Sequence, residues 1–130
     1  MAQDRINERI FQALNGLDIE LPSWGFADTG TRFGKFYQDA AAIDIYDKIA
    51  DASTVHALTG SASKMAVHVL WDFSAEHLPS EVAQAARDVG IRIGSINPNL
   101  FQDADYMLGS FGHPDKAVQE KALDHCLASI

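Results

Sequence analysis

The sequence is poor in cationic side chains, cysteine and long apolar runs. Its 130 residues hold 10 Lys and Arg against 18 Asp and Glu, a formal charge of −8. Nucleic acids and anionic membranes are bound by clustered Lys and Arg, so this composition argues against both as partners. The longest apolar run, Ala66 to Trp71, is interrupted by His68 and is too short to span a bilayer.

The start of the chain and its cysteine content bear on cellular location. Residues 1–7 contain no apolar segment and no small-residue cleavage pattern, so we predict no signal peptide. Cys126 is the single cysteine, which excludes an internal disulfide, and its apolar neighbours predict a buried, unreactive thiol. We therefore expect a reducing, cytoplasmic location.

The chain does contain a regular alternation of helical and extended patterns. Apolar residues at helical spacing predict helices over 6–17, 42–58 and 79–90, and a last helix that begins at 113–115. Strands are predicted at 19–24, 65–71 and 91–96, with loops over 25–38 and 97–112. This order is typical of right-handed βαβ units on a parallel α/β sheet, here in one unit over 1–130 with no internal boundary.

Two residues in the carboxyl-terminal parts of predicted strands are candidates for a binding site, because ligands of parallel sheets bind at the carboxyl ends of the strands. Trp24 ends the first strand, where a large flat side chain can form the wall of a pocket. His68 interrupts the most apolar strand, and both a hydrogen-bonded core histidine and an active-site histidine fit that position. Strand alternation places His68 and Trp71 on opposite faces.

The third predicted strand runs into Asn97, Asn99 and Phe101. Two amides and one aromatic ring could bind the hydroxyls and the apolar face of a sugar, and they fit an ordinary turn equally well. Elsewhere no group of His, Cys, Asp or Glu has the spacing of metal ligands, so we predict no metal site within this chain.

The loop over 25–38 suggests a phosphate cradle only superficially. Gly30 and Gly34 are too close together for a P-loop, and Phe36 follows Lys35 where Ser or Thr is required. Nucleotide binding through this loop is therefore rejected.

Four blocks, in a fixed order from Pro22 to His113, resemble the bacterial L-rhamnose isomerases of the broad-specificity type. The blocks are Pro22-Ser23-Trp24-Gly25 with Gly30-Thr31-Arg32-Phe33, His68-x-x-Trp71-Asp72, Asn97-x-Asn99-x-Phe101, and Gly109-Ser110 with His113. Each block is weak alone, and the four in register make a fairly specific match over nearly the whole chain.

The resemblance implies a role for each matching residue. Trp24, Trp71 and Phe101 would line the apolar side of a sugar pocket, together with Asn97 and Asn99 as substrate-binding residues. His68 would hydrogen-bond the ring or terminal oxygen of the substrate and assist ring opening. Phe33 would be the aromatic side chain that a neighbouring subunit inserts into the pocket.

The resemblance also implies an architecture and an activity. The family consists of (β/α)₈ barrels that interconvert aldoses and ketoses, require a divalent metal (commonly manganese) and assemble as homotetramers. A full barrel takes about 250 residues, and the family's metal ligands lie on its later strands. We therefore expect this chain to be the N-terminal part of such an isomerase, a partial barrel of three βα units that is inactive alone.

A second interpretation remains open at this point. A chain of 130 residues can bury a core of its own. It could be a self-contained, non-catalytic α/β module that binds a small molecule or pairs with another protein.

Overall fold

Three parallel strands form the central sheet of the structure, a computed structural model that describes residues 2–28, 30, 31 and 34–130. The strands are β1 (Glu20–Pro22), β4 (Lys64–His68) and β5 (Arg92–Asn97), in the spatial order β1-β4-β5. Both neighbouring pairs are parallel. The predicted α/β class, with three parallel strands and flanking helices, is confirmed.

The described residues form four α-helices beside the sheet: α1 (Ala2–Asn15), α2 (Ile45–Thr59), α3 (Pro79–Asp88) and α4 (Lys116–Leu127). The Asp44 carboxylate begins α2 by accepting from the amides of Tyr46 and Asp47, and Gly60 ends it with a left-handed φ of 69°. A proline in the first turn begins α3. The carboxylate of Asp115 caps α4 by accepting from the Ala117 amide.

The core lies between the central strand and the two helices that follow β1 and β4. Met65 and Val67 alternate along β4 on the face that packs against α2 and α3. Among the described residues, the packed cluster at this place contains eight buried apolar residues, namely Ile45, Ile49, Ala52, Met65, Val67, Val82, Ala86 and Ile91. Ala66 and His68 are consequently on the opposite face of the sheet.

Several predicted boundaries were wrong. The first strand stops at Pro22, and Ser23–Gly25 form a 3₁₀ turn. The second strand stops at His68, three residues before Trp71. The predicted loop over 25–38 contains a short antiparallel pair, β2 (Gly30–Thr31) and β3 (Gly34–Lys35), and the loop over 97–112 contains a 3₁₀ helix at Ala104–Leu108.

The β4–β5 pairing contains an irregularity that decides which face Asn97 occupies. Met65 is paired with Ile93, but Val67 is paired with Ile96, so β5 holds one extra residue. Asn97 thereby becomes the partner of His68 and shares its face of the sheet. If the same residues of β5 paired regularly, without the irregularity, Asn97 would follow the alternation of Ile93 and face the helices.

Much apolar surface remains exposed in this chain. Its accessible surface is 9113 Å², whereas a compact protein of this mass is expected to have roughly 6,800 Å². On α1 the apolar stripe of Ile6, Ile10, Phe11 and Leu14 is at least half exposed. Cys126 is half-buried rather than buried. In the described ranges, no helix is both long enough and apolar enough to cross a membrane.

Candidate functional site

An open cavity of about 400 Å³ lies at the carboxyl ends of β4 and β5. It is lined by five of the residues singled out in the sequence and by two others, and the full set is Trp24, His68, Trp71, Asn97, Pro98, Leu100 and Phe101. Apolar walls with a few polar groups are typical of small-molecule sites.

Four rings form a cluster in this cavity with His68 at its centre. The His68 and Trp71 rings are stacked, with centroids 3.8 Å apart and planes 15° apart. Trp24 and Phe101 approach His68 edge-on, at 6.5 and 5.8 Å between centroids. Such edge-to-face contacts fix ring orientations beyond what apolar burial alone achieves.

The turn that follows β4 explains why Trp71 is beside His68, although alternation predicted opposite faces. The amides of Trp71 and Asp72 both donate to the His68 carbonyl, at 3.2 and 3.1 Å. The chain therefore leaves the strand at His68 and folds back, which places the Trp71 ring against the imidazole. The predicted face of Trp71 was wrong because the strand is shorter than the apolar run.

The two nitrogens of the His68 imidazole have different surroundings. Nδ1 accepts from the Leu70 amide at 3.3 Å. Nε2 is buried and has no hydrogen-bond partner among the described residues, and the whole residue is 2% exposed. Burial lowers the pKa of His68 below its usual range; the Asp72 carboxylate opposes this shift and the Lys48 cation adds to it. The lowered pKa favours the neutral form of the ring at pH 7.

A buried polar cluster lies directly behind His68, and we call it the Asp72 network. The Asp72 carboxylate accepts from the Ser23 hydroxyl at 2.5 Å, from the His68 amide at 2.7 Å and from the Lys48 ammonium at 2.7 Å. Ser23, Lys48 and Asp72 are all at most 4% exposed. Each carboxylate oxygen thus has a donor, and the cation balances its charge, as burial requires.

The remaining sequence candidates are placed differently. Asn99 is outside the lining of the cavity; its side chain accepts from the Gln102 amide and caps the turn that carries Phe101. The His125 ring supports the same turn, with Nδ1 3.3 Å from the Asn99 carbonyl oxygen and 2.8 Å from the Tyr106 hydroxyl. Phe33 lies outside the described residues, so its predicted role stays a prediction.

The donor set required for a metal is not found in the part of the chain that the structure describes. There, no group of three or more His, Cys, Asp or Glu side chains is close enough together to hold a metal ion. The Asp72 carboxylate, which accepts from the His68 amide, is already bonded to three donors. The described residues therefore do not fit a resident divalent cation.

Sequence reasoning gave no role to the three residues of the Asp72 network. Ser23 and Asp72 each follow a strand of the sheet closely, so the rule that strand carboxyl ends converge could have found them. Lys48 has no such signal, because it sits in a helix 24 residues before its carboxylate partner.

The chain is similar to two curated proteins, and no family model matches it. A probable sugar isomerase of Mesorhizobium japonicum is 33% identical over 117 residues, which is 86% of this chain and 26% of that protein. A probable sugar isomerase of Rhizobium meliloti is 28% identical over 117 residues, covering 86% of this chain and 27% of the relative. The chain spans about a quarter of the length of these relatives.

Proposed function

We propose that this chain forms the substrate-binding wall of a sugar isomerase that interconverts an aldose and a ketose, with L-rhamnose or a related aldose as substrate. The observation that carries the proposal is the buried imidazole of His68, whose Nε2 has no protein partner and which lines an aromatic cavity. The similarity to two probable sugar isomerases and the resemblance of the four sequence blocks support it.

The cavity offers a sugar two kinds of contact. The faces and edges of Trp24, Trp71 and Phe101 pack against the C–H face of the sugar ring. The His68 Nε2–H donates to the ring or terminal oxygen, which assists ring opening without placing a charge in the cavity. The Asn97 Nδ2 donates to the Val67 carbonyl at 3.3 Å, so its Oδ1 is the atom that we assign to a sugar hydroxyl.

The chemistry of isomerisation needs groups beyond this wall. The chemistry that a divalent metal such as manganese would supply in the complete enzyme is polarisation of the substrate carbonyl. Since the described residues do not fit that metal, we propose that its ligands come from outside these 130 residues, in a barrel completed by further strands. The relatives, about four times as long as their matched segment, support this division.

Assembly and location complete the proposal. We propose that the complete enzyme is a cytoplasmic homotetramer in which Phe33 of one subunit reaches the cavity of another. The exposed apolar stripes support burial of these surfaces against further protein.

The test uses tryptophan fluorescence, because both tryptophans of the chain line the cavity. We expect a saturable change on titration with L-rhamnose and none with its enantiomer, at millimolar dissociation constants, about 4 kcal/mol of binding free energy. His68→Gln should abolish the change. His56→Gln is the matched control, since His56 also has a buried nitrogen without a partner but lies outside the cavity.

Two outcomes would contradict this proposal. A fluorescence change that His68→Gln leaves intact would remove the imidazole from the site. Robust conversion of L-rhamnose to L-rhamnulose by the 130-residue chain with manganese would show that the metal ligands are within it.

A non-catalytic binding module is the second candidate, and the buried core formed within this chain favours it. A self-contained module should be a monomer or a defined dimer with a sharp thermal transition. A barrel segment should associate or melt broadly, because its sheet edges and apolar stripes are open. Size-exclusion chromatography combined with thermal melting distinguishes the two.

A further inference from the structure

The turn over residues 68–72 determines which nitrogen of His68 can carry a proton. A backbone N–H can only donate, so the Leu70 amide requires a bare lone pair on Nδ1. A neutral imidazole has one proton, which must then be on Nε2. That nitrogen is the one without a protein partner in the cavity.

The turn itself is closed by reciprocal bonds between its first and last residues. The Asp72 amide donates to the His68 carbonyl at 3.1 Å, and the Asp72 carboxylate accepts from the His68 amide at 2.7 Å. With both ends fixed, the amide of Leu70 inside the turn is held against the ring.

The Asp72 carboxylate, which closes the turn, also accepts hydrogen bonds from two other elements of the fold. Ser23 donates to it from the 3₁₀ turn after β1, and Lys48 donates to it from α2. Because Ser23 precedes Trp24, the same carboxylate also ties the turn to a second wall of the cavity.

We propose that Asp72 is a positioning residue, which with Ser23 and Lys48 sets the Nε2–H tautomer of His68 through the Leu70 amide. A carboxylate bonded directly to an imidazole favours the charged ring, and here the carboxylate bonds the backbone while a neutral amide holds the ring. His68 is thereby prepared as a neutral hydrogen-bond donor. Its use toward a sugar oxygen rests on the proposed function.

The experiment reads the tautomer directly, by long-range ¹H–¹⁵N correlation of the imidazoles in the uniformly ¹⁵N-labelled chain at pH 7 without sugar. The His68 signals are assigned by their loss in His68→Gln. We expect a pyrrole-like Nε2 and a pyridine-like Nδ1 in a single species. A proton on Nδ1, or on both nitrogens, overturns the proposal.

Variants then test the role of the carboxylate. In Asp72→Asn the two nitrogen resonances of His68 should move toward each other, as the second tautomer becomes populated. Asp18→Asn is the matched control, because Asp18, like Asp72, accepts from one backbone amide, one serine hydroxyl and one lysine, at the other end of the sheet. That variant should leave the His68 signals unchanged.

A milder variant covers the case in which Asp72→Asn does not fold. Ser23→Ala keeps the carboxylate and its lysine and removes one donor, so a smaller movement of the same two resonances is expected. If the folded variants keep the pure Nε2–H species, the proposal fails. Since no sugar is present, this failure is distinct from a failure of sugar binding.

Discussion

The ion pair between Lys48 and Asp72 gives the sharpest test of how burial controls stability in this chain. The ammonium and carboxylate are 2.7 Å apart, with side chains 5% and 0% exposed. Lys64 and Asp18 form a comparable pair at 3.2 Å, with side chains 36% and 26% exposed. The two lysines can each be replaced by methionine, which keeps most of the apolar stem.

The expected costs differ because only one substitution leaves a buried charge without its cation. Lys48→Met leaves the buried Asp72 carboxylate without its cation. Breaking a buried pair in this way lowers the free energy of unfolding by about 3–5 kcal/mol. Lys64→Met leaves Asp18 with Arg92 at 3.0 Å and with Ser63, so the loss is that of an exposed pair, about 0.2–1 kcal/mol.

Urea unfolding followed by the fluorescence of the two tryptophans measures both free energies. The double variant Lys48→Met with Asp72→Asn should recover part of the loss, because the orphaned charge is removed. Equal costs for Lys48→Met and Lys64→Met, at unchanged dependence on urea, would refute the assignment of a buried charge pair.

Three further perturbations test other parts of the molecule. Burial lowers the pKa of His68 in the folded chain, so below about pH 6.5 the unfolded chain binds more protons than the folded chain. The free energy of unfolding should therefore fall as the pH drops, by at most about 1.4 kcal/mol per pH unit. His68→Gln should flatten this slope, and an unchanged slope in calorimetry or urea unfolding would contradict the pKa direction. Gly94→Ala would drive a Cβ into the Glu20 carboxylate and should cost about 0.5–1.5 kcal/mol, because the displaced carboxylate loses its exposed hydrogen bonds to Ser95, whereas Gly112→Ala meets no atom within 4 Å and should be neutral in the same unfolding assay. Asp44→Ala removes the cap of α2 and should cost about 1 kcal/mol; no loss of helix or stability by circular dichroism would argue against the cap.

The helices and the parallel sheet could be predicted because their signals are local. The periodicity of α2 and α3 and the apolar run of β4 are readable from neighbouring residues alone. The ends of the strands were harder to predict from the sequence. β4 ends where the amides of Trp71 and Asp72 donate to the His68 carbonyl and close a turn. The pattern of apolar residues does not predict these hydrogen bonds.

The site was predictable to the extent that parallel strands bring their carboxyl ends together. Trp24 and Asn97 were chosen at strand ends and His68 as the histidine that interrupts the most apolar strand, and all three line one cavity. Lys48 was not predictable, because a lysine in a helix is normally solvated and only the tertiary fold supplies its buried carboxylate. The register shift that aligns Asn97 with His68 was also missed.

The extra residue of β5 has a consequence for how this sequence can vary. Ser95 gives both its amide and its hydroxyl to the Glu20 carboxylate, at 2.6 and 2.7 Å, across the intervening strand. Deleting Ser95 would make the β4–β5 ladder regular and would still leave Asn97 opposite His68. The carboxylate would then have lost both of these donors. The presence of a residue at position 95 and of a carboxylate at position 20 therefore depend on each other. Homologues in which β5 is one residue shorter should carry an uncharged residue in place of Glu20.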